Sequence, residues 1–306
     1  MASYIGIDGG GSGSRWAELG SDGSWRSGED GPPIQAATLD LEETAARILD
    51  LLRRARSRSE EPGKVVAGLA GAGGSDRRRR LEELLEDESV SVVGDTVTGA
   101  AAALHGGSGV AVFAGTGSFA VARDEKGALH RVGGRGRIIS DHGGGYRIGL
   151  AAAEAALRSA EGTGPSTVLE STLREAFAIT SGTELGEAVS GSPPETIAAL
   201  VPRVVSAAAQ GDACAGAILG KGASDLAQLG VGAVRLAALE LADAPVFLGG
   251  GLMRSPEYFD RVVRELVAVG FGTQVAGVSY SSAQGAALLA RSVTRDEAPM
   301  SGWVHG

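Results

Sequence analysis

The sequence predicts an α/β protein built from two segments that each begin with strands, with a block of helices inserted in the second. Short apolar runs such as SYIGID at residues 3–8 and GVAVFA at residues 109–114 are typical of buried strands. Each of these runs leads into a glycine-rich turn and a further strand-like run, which indicates a β-hairpin in each segment. Residues 146–241 instead read as helix with breaks at Gly162–Pro165 and Ser190–Pro194.

This repetition predicts a duplicated architecture with a cleft between its halves. We expect a first lobe at residues 1–105 and a second lobe at residues 106–306, with the helical insertion at about residues 146–241. The C-terminal helix, expected at residues 283–296, is a candidate to pack back on the first lobe.

The other elements follow from periodicity in chain order. Further strands are predicted at Ser14–Leu19, Lys64–Ala70, Val90–Gly94, Phe119–Arg123 and Pro245–Leu248. Further helices are predicted at Leu39–Arg56, Ser75–Glu86, Gly99–Leu104 and Pro256–Val269. The arginine run Arg77–Arg80 reads either as a phosphate-binding patch or as the solvated face of a short helix, and nearby glutamates favour the second interpretation.

Composition restricts the classes of function. The 306 residues carry a net charge of −9, which disfavours a nucleic-acid partner. The single cysteine, Cys214, excludes a disulfide within the chain and disfavours a cysteine-ligated zinc or iron–sulfur site. The opening MASYIGID lacks the features of a signal peptide, and the apolar runs are too short to span a bilayer. We therefore expect a cytoplasmic protein without a membrane partner.

Three glycine-rich turns follow apolar strands, at Gly9–Gly13, Gly115–Gly117 and Gly249–Gly251. Backbone N–H groups in such turns form concave anion sites, and the absence of a Cβ lets a phosphate come close. Hydroxyls at Ser12, Thr116 and Ser118 can add hydrogen bonds. Any one of these turns is explained equally well as a tight hairpin turn, whereas all three together favour nucleotide binding.

Three acids stand where phosphoryl-transfer chemistry would need them. Asp8 ends the first strand beside the first glycine turn and could hold Mg²⁺ through water. Asp95 ends another strand, where a carboxylate could accept the proton of a substrate hydroxyl. Asp141 lies in IISDHGGGYRIG, between a strand and a helix. Acids at strand ends can equally be turn formers or helix caps.

Taken together, six motifs resemble a known family. They are DGGGSGS, LAGAG, GDT, FAGTGS, VGGRGRIISDHGGGYRIG and FLGGGL, in the order of the family and over nearly the whole chain. The chain resembles the N-acetylglucosamine kinase and BadF/BadG/BcrA/BcrD ATPase family, within the actin/hexokinase/Hsp70-like fold. The stretch VGGRGRIISDHGGG is most similar to the bacterial glucosamine kinase branch.

The resemblance implies a duplicated actin-like ATPase fold, which is ribonuclease H-like, with two lobes around a nucleotide cleft. It also implies an ATP- and Mg²⁺-dependent kinase that phosphorylates a hydroxyl, expected to be the 6-hydroxyl, of glucosamine or N-acetylglucosamine. The implied ATP-binding residues are Gly9, Gly10, Gly11, Ser12, Gly13, Gly115, Thr116, Gly117, Ser118, Gly249, Gly250 and Gly251. The implied catalytic base is Asp95, the metal-associated acid is Asp8, and the sugar-binding residues are Asp95, Asp141, Gly71, Gly134 and Arg135.

The sequence departs from the family pattern on the sugar side. Pro33 lies in GPPI, where the family commonly has a sugar-contacting asparagine, and Arg135 takes the place of a common tryptophan. His142 and Gly144 replace the usual Glu or Gln and Ser, and Ala70 stands where some members have serine. The resemblance leaves the choice of sugar and a homodimer open.

Two other functions are compatible with the same fold. An ATP-driven activator of a radical enzyme would need a shared iron–sulfur cluster, and one cysteine per chain cannot supply four ligands to a dimer. A nucleotide-dependent sugar sensor without kinase activity would differ from a kinase in showing no sugar-stimulated ADP production.

Overall fold

The computed structural model describes residues 3–11, 13–56, 62–72, 75–86 and 89–295. The strands are β1 (Ser3–Gly9), β2 (Ser14–Leu19), β3 (Trp25–Gly31), β4 (Pro62–Leu69), β5 (Val90–Gly94), β6 (Gly109–Ala114), β7 (Ser118–Arg123), β8 (Leu129–Gly133), β9 (Val246–Gly249) and β10 (Val275–Gly277). The α-helices are α1 (Leu41–Arg56), α2 (Ser75–Leu84), α3 (Asp95–Leu104), α4 (Gly145–Ala160), α5 (Leu169–Phe177), α6 (Leu185–Ser190), α7 (Pro194–Ala198), α8 (Val201–Ala209), α9 (Ala213–Leu236), α10 (Pro256–Ala268) and α11 (Ser282–Arg295). In the described ranges no helix is both long and apolar enough to cross a membrane.

The ten strands form two five-stranded sheets with the same topology. The first sheet has the order β3-β2-β1-β4-β5, and the second has β8-β7-β6-β9-β10. In the first sheet, β1 is antiparallel to β2 and parallel to β4, which is parallel to β5. In the second, β9 is likewise parallel to both β6 and β10. The predicted duplicated α/β fold is confirmed by this repeated order.

The chain divides into two compact units. Unit 1 comprises residues 1–108, 123–129 and 278–306, and unit 2 comprises residues 109–122 and 130–277. The first change of unit, after Ser108, falls close to the expected boundary at residue 105. Residues 278–306, expected as part of the second lobe apart from its last helix, belong to unit 1, because α11 contacts β1, β2, β4 and α3.

The core of unit 1 lies on both faces of the first sheet. The amphipathic helix α1 buries Ile48, Leu51 and Leu52 in a cluster with Ile5 and Ile7 of β1. Helix α11 contacts β1 and α3 at glycines where any side chain would clash. A Cβ at Gly6 of β1 would lie 2.0 Å from the Ala283 carbonyl oxygen. Likewise, a Cβ at Gly285 of α11 would lie 2.1 Å from the Thr98 carbonyl oxygen of α3.

The core of unit 2 joins β6, β7 and β9 to the helical block. Small side chains such as Ala152, Ala153 and Ala156 of α4 let the helices approach closely, and branched residues of α9 fill the remaining space. Residues 224–241, an apolar stretch that the sequence leaves open as either core or dimer surface, contribute Leu226 and Val231 to this core. The exposed Leu236 is at the end of α9.

Several element boundaries differ from the sequence-based expectation. Helix α1 begins at Leu41 rather than Leu39, and α3 begins at Asp95 rather than Gly99 because the helix follows β5 without a loop. Strands β3, β8 and β10 are not predicted by periodicity. In α2, Arg79 lies near the carboxylates of Asp76 and Glu83, which supports the solvated-face interpretation of the arginine run.

Candidate active-site residues

The first glycine turn joins β1 to β2 at the carboxyl end of β1. The pairing runs from Tyr4 with Leu19 to Gly9 with Ser14, so the predicted hairpin is confirmed. The Gly10 N–H donates to the Gly13 carbonyl at 3.1 Å, which closes the turn. Ser12, one of the expected ATP-binding residues, lies outside the described residues.

Different constraints act on the glycine positions of this turn. A Cβ at Gly9 would lie 2.8 Å from the Ile34 carbonyl oxygen, so internal packing alone requires this glycine. A Cβ at Gly10 would meet only the Gly13 carbonyl oxygen, at an ordinary 3.7 Å. Nothing in the described part of the chain therefore requires glycine at position 10. A ligand approaching the backbone would supply the missing reason.

Asp8 precedes this turn and lies largely within the protein. Burial raises the pKa of its carboxyl to about 6, opposed by Arg15, which is paired with Asp8 across the hairpin, and reinforced by the negative charge of Asp95. A buried carboxylate with another acid nearby is stabilised by a cation, and oxygen ligands suit Mg²⁺. Asp8 therefore fits the expected metal-associated role.

Asp95 stands at the same edge of the sheet as Asp8. Because β1, β4 and β5 are parallel, their carboxyl ends meet at one edge, and the pairings Gly9–Leu69 and Leu69–Gly94 align them. Asp95 is the first residue of α3, and its Oδ1 accepts from the Thr96 N–H at 2.9 Å. Its carbonyl accepts from the Thr98 hydroxyl at 3.0 Å, so the start of the helix is firmly held. The N-cap of α3 is Gly94, without a side-chain cap hydrogen bond, so Asp95 is not the capping residue, and its catalytic role stays a prediction.

Gly71 follows β4 at this edge. It has a φ of +82°, and a Cβ there would lie 2.6 Å from Cβ of Ala37. The segment after β3 is joined to this place, because the Ala36 N–H donates to the Ala70 carbonyl at 2.9 Å and Gln35 forms a parallel bridge with Ala70.

Gln35 is a candidate ligand-binding residue that the sequence reasoning missed. The sequence feature that could have indicated Gln35 is its position: it is the first polar residue after GPPI, the stretch where the family's asparagine is expected. Pro33 itself is exposed, and its carbonyl accepts from the Arg47 guanidinium.

The second glycine turn, in unit 2, joins β6 to β7 and contacts the start of α4. The Gly115 N–H donates to the Gly117 carbonyl at 2.9 Å, and the Gly145 and Tyr146 N–H groups donate to the Gly115 and Thr116 carbonyls at 2.8 and 2.9 Å. A Cβ at Gly115 would meet nothing within 4 Å, so packing among the described residues does not require glycine here, as at Gly10. Thr116 is exposed beside it.

Contrary to the expectation from the sequence, the Ser118 hydroxyl is not available to a phosphate. It is 2% exposed, and its hydroxyl donates to the His142 carbonyl at 2.6 Å. This hydrogen bond ties the beginning of β7 to the segment that carries Asp141, which is a structural role.

Asp141 lies directly against the second turn. A Cβ at Gly117 would be 2.5 Å from Asp141 Oδ2, so Gly117 is required by packing against this acid. The residue has a φ of +55°, and its Oδ1 is buried without a hydrogen-bond partner among the described residues. Burial raises the pKa of the carboxyl, although hydrogen bonds and Arg131 oppose the shift. A ligand hydroxyl would satisfy the open acceptor.

The strand that we expect immediately before Asp141 is a turn. Strand β8 ends at Gly133, and Gly134 and Gly136 have φ values of +66° and +100°, which interrupt the extended backbone. Ile138 and Ile139 are consequently 79% and 81% exposed.

Arg135 is exposed in the same turn. Its N–H donates to the Ser140 hydroxyl oxygen at 3.3 Å. Gly134 and Arg135, both expected sugar-binding residues, thus lie on the loop that leads to Asp141.

The third glycine turn follows β9. Gly249 ends the strand, and Gly250 has a φ of +93°, with a Cβ position 2.3 Å from the Ala114 carbonyl oxygen. Gly250 is therefore required by close packing on β6. Gly251 begins a 3₁₀ turn, and a Cβ there would make only one contact, at 3.7 Å.

The expected site residues thus form one group in each unit. Unit 1 brings together Asp8, the Gly9–Gly13 turn, Gly71 and Asp95. Unit 2 brings together the Gly115–Gly117 turn, Asp141 and the loop before it, with the Gly249–Gly251 turn packed on the end of β6. The first group can hold a cation and anionic oxygens, and the second offers backbone donors beside an acid with an open acceptor.

Comparison with known proteins gives one family match and several relatives. The model of the BadF/BadG/BcrA/BcrD ATPase family matches residues 5–290. The N-acetylmuramic acid/N-acetylglucosamine kinase of Clostridium acetobutylicum is 28% identical over 252 residues, which cover 80% of this chain and 82% of the relative. The N-acetyl-D-glucosamine kinase of Dictyostelium discoideum is 25% identical over 312 residues, which cover 94% of this chain and 97% of the relative.

A solved structure shares the fold. A candidate N-acetylglucosamine kinase from Chromobacterium violaceum superposes with a TM-score of 0.74 at 24% identity, covering 94% of this chain and 98% of that chain.

Proposed function

Because the chain belongs to the BadF/BadG/BcrA/BcrD ATPase family, we propose that it is an ATP-dependent amino-sugar kinase. The expected acceptor is the 6-hydroxyl of glucosamine or N-acetylglucosamine. The observation that carries the proposal is made at one edge of the first sheet, where Asp8 and Asp95 interact electrostatically beside a glycine turn. In that turn, packing among the described residues does not require the glycine at position 10. An acid for the metal, an acid for the acceptor and an open phosphate turn are what phosphoryl transfer needs.

We assign the phosphates of ATP to the backbone of the Gly9–Gly13 and Gly115–Gly117 turns and to the Thr116 hydroxyl. Gly10 and Gly115 support this assignment because a Cβ at either position would meet no close neighbour, whereas Gly9 and Gly117 are fixed by packing and shape the turns. ATP would supply the phosphoryl group, and Mg²⁺, associated with Asp8, would neutralise part of its charge.

The acceptor side is assigned to Asp95 and to the loop that ends at Asp141. Asp95 would accept or orient the proton of the attacking hydroxyl from its fixed place at the start of α3. Asp141, with an open buried acceptor oxygen, would bind a sugar hydroxyl, and Gly71, Gly134 and Arg135 would line the remainder. The names of the two relatives support an amino sugar, and the Clostridium name adds N-acetylmuramic acid as an acceptor to test.

A coupled ADP-release assay with MgATP tests the proposal. The acceptors are glucosamine, N-acetylglucosamine, N-acetylmuramic acid and glucose, each compared with a reaction without sugar. We expect ADP production that depends on an amino sugar, and a phosphorylated product whose position is read by NMR. ADP production that no sugar stimulates would contradict the kinase assignment and favour a nucleotide-binding sensor.

A further inference from the structure

A cavity of about 270 Å³ lies in unit 1, remote from Asp8 and Asp95. Its wall is formed by Leu19, Trp25, His105, Tyr280, Leu288 and Arg291. Leu19 pairs with Tyr4 on one side and Trp25 on the other, whereas the first glycine turn is at the Gly9–Ser14 pair. At about 3.3 Å per residue, the cavity is about 16 Å along β1 from that turn.

The cavity gathers aromatic rings in a chain that has few of them. Aromatic residues make up 4% of the sequence. The Tyr280 ring centroid is 5.6 Å from that of Trp25 and 4.9 Å from that of His105, with planes tilted by 40° in both pairs. Rings in this arrangement present faces and edges on which another ring can stack.

His105 occupies a position where the backbone favours glycine. It caps α3 with φ +48° and ψ +31°, in the left-handed region. Its Nε2 lies 2.9 Å from the Ala102 carbonyl oxygen, which holds the imidazole over the helix end. Glycine is the usual residue at such a cap. A histidine at this position therefore indicates that its imidazole has a role of its own.

The charge of the residues that line the cavity favours an anionic ligand. Among the lining residues that the structure describes, Arg291 carries a positive charge and none is a carboxylate, although the whole chain has a net charge of −9. A guanidinium has five N–H donors, so a ligand oxygen can share it with contacts inside the protein.

We propose that this cavity is a second small-molecule site, which binds a compact cyclic anion. The ring stacks on Trp25 and Tyr280, and a phosphate or carboxylate group of the ligand contacts Arg291. His105 and Tyr280 each lie within three residues of a point where the chain passes between the units, after Ser108 and after Gly277. His105 is the C-cap of α3, the helix that begins with Asp95, so a ligand in the cavity would contact the end of that helix.

The test is a binding measurement on the full chain with the kinase site filled. The protein is saturated with Mg²⁺, a non-hydrolysable ATP analogue and N-acetylglucosamine. Glucosamine 6-phosphate, AMP, 4-hydroxybenzoate and inorganic phosphate are then titrated by calorimetry and by tryptophan fluorescence. We expect saturable binding of at least one cyclic anion that is at least tenfold tighter than that of inorganic phosphate. The first three probes distinguish a sugar phosphate, a nucleotide and an aromatic carboxylate.

Variants locate the binding. Arg291→Gln and Trp25→Leu should each weaken the binding about tenfold or more, because a charge-assisted contact or a stacking face is lost. Arg53→Gln, an equal change of charge at an exposed position of α1, should leave it unchanged. If Arg291→Gln does not fold, as judged by circular dichroism, Arg291→Lys tests the same contact and should weaken binding less.

Two outcomes would overturn the proposal. One is the absence of saturable binding by all cyclic probes up to about 10 mM. The other is binding that neither Arg291 nor Trp25 variants weaken. The measurement does not use turnover, so a failure here is distinguishable from a failure of the kinase assignment.

Discussion

Asp8, Asp95 and Asp141 are held in three different ways. Asp8 lies at the end of a central strand and is largely buried, Asp95 is fixed by the first turn of α3, and Asp141 has a left-handed backbone and one buried oxygen without a partner. These differences give each acid a distinct experimental signature.

Replacement of Asp95 should affect turnover much more than nucleotide binding. Asp95→Asn removes the proton acceptor but retains an oxygen for the Thr96 N–H, so we expect kcat to fall about 100-fold or more with the KM for MgATP little changed. Steady-state ADP-release kinetics measure both. Asp260→Asn, on the exposed surface of α10, is the control for the charge change. Turnover near that of the unmodified protein would remove Asp95 from the role of base.

Asp8 should make the metal-free protein less stable as pH rises. Its pKa is 3.8 as a free carboxyl and about 6 when folded, so the folded state binds more protons between these values. Stability should fall as pH rises through this window, by up to about 3 kcal/mol, and stay level above it. Asp8→Asn should therefore be more stable than the unmodified protein at pH 7–8 and lose this advantage below about pH 4.

Urea unfolding in EDTA at pH 4 to 8 measures the effect of Asp8. Asp76→Asn, whose side chain is exposed in the same unit, should show no such pH-dependent gain. Parallel pH profiles for Asp8→Asn and the unmodified protein would contradict the burial of this charge.

Asp141 should act on the acceptor. Asp141→Asn tolerates the left-handed backbone, so the free energy of unfolding should change by less than about 0.5 kcal/mol while the KM for the sugar rises about tenfold. Asp141→Ala should raise the KM similarly and also lose about 1 kcal/mol of stability, because alanine disfavours this backbone. Kinetics and urea unfolding separate the two effects. An unchanged sugar KM in both variants would exclude Asp141 as a sugar ligand.

At the scale of elements, the glycine turns combine residues that build the turn with residues that leave it open. Gly250→Ala should destabilise the protein by several kcal/mol, because its Cβ would lie 2.3 Å from a backbone oxygen at a φ of +93°. Gly115→Ala, with open space around its Cβ, should leave stability within about 1 kcal/mol and raise the KM for MgATP. Thermal unfolding and kinetics check the pair. Equal destabilisation by both changes would show that Gly115 is also a packing residue.

The sequence predicts the inner strands and the edge strand β5, and it misses the other three edge strands for a physical reason. Strands β1, β2, β4, β6, β7 and β9 are apolar because they lie between neighbours and under helices. The missed strands β3, β8 and β10 are all at sheet edges. WRSGEDG of β3 is polar and contains glycine, and β10 has only three residues, so neither has a periodic apolar pattern.

The candidate site could be predicted from the sequence only in part. Asp8, Asp95 and the three turns follow from motifs at strand ends, where parallel strands bring residues together. The bridge between Gln35 and Ala70 and the buried hydroxyl of Ser118 depend on contacts between segments that are distant in sequence. No local pattern encodes these contacts.

At the scale of the molecule, unit 1 depends on the last helix of the chain. A protein that ends at residue 280 should lose the protection of β1 and α3 against hydrogen exchange, because α11 covers both, whereas β6 and β9 should remain protected. Hydrogen-exchange mass spectrometry measures this. A peptide of residues 281–306 added in trans should restore protection, and the same peptide with Gly285→Val should not, because Cβ at this position lies 2.1 Å from the Thr98 carbonyl oxygen. Protection of β1 without α11 would contradict the dependence.

The position of α11 also sets an order of events during synthesis. Unit 2 is complete once residue 277 has left the ribosome, but β1, synthesised much earlier, still lacks its covering helix, which starts at Ser282. At about 5–20 residues per second, β1 remains without its covering helix for roughly 15 to 55 s. For that interval the nascent chain presents the uncovered face of β1 to chaperones, while the later half of the protein is the first able to finish folding.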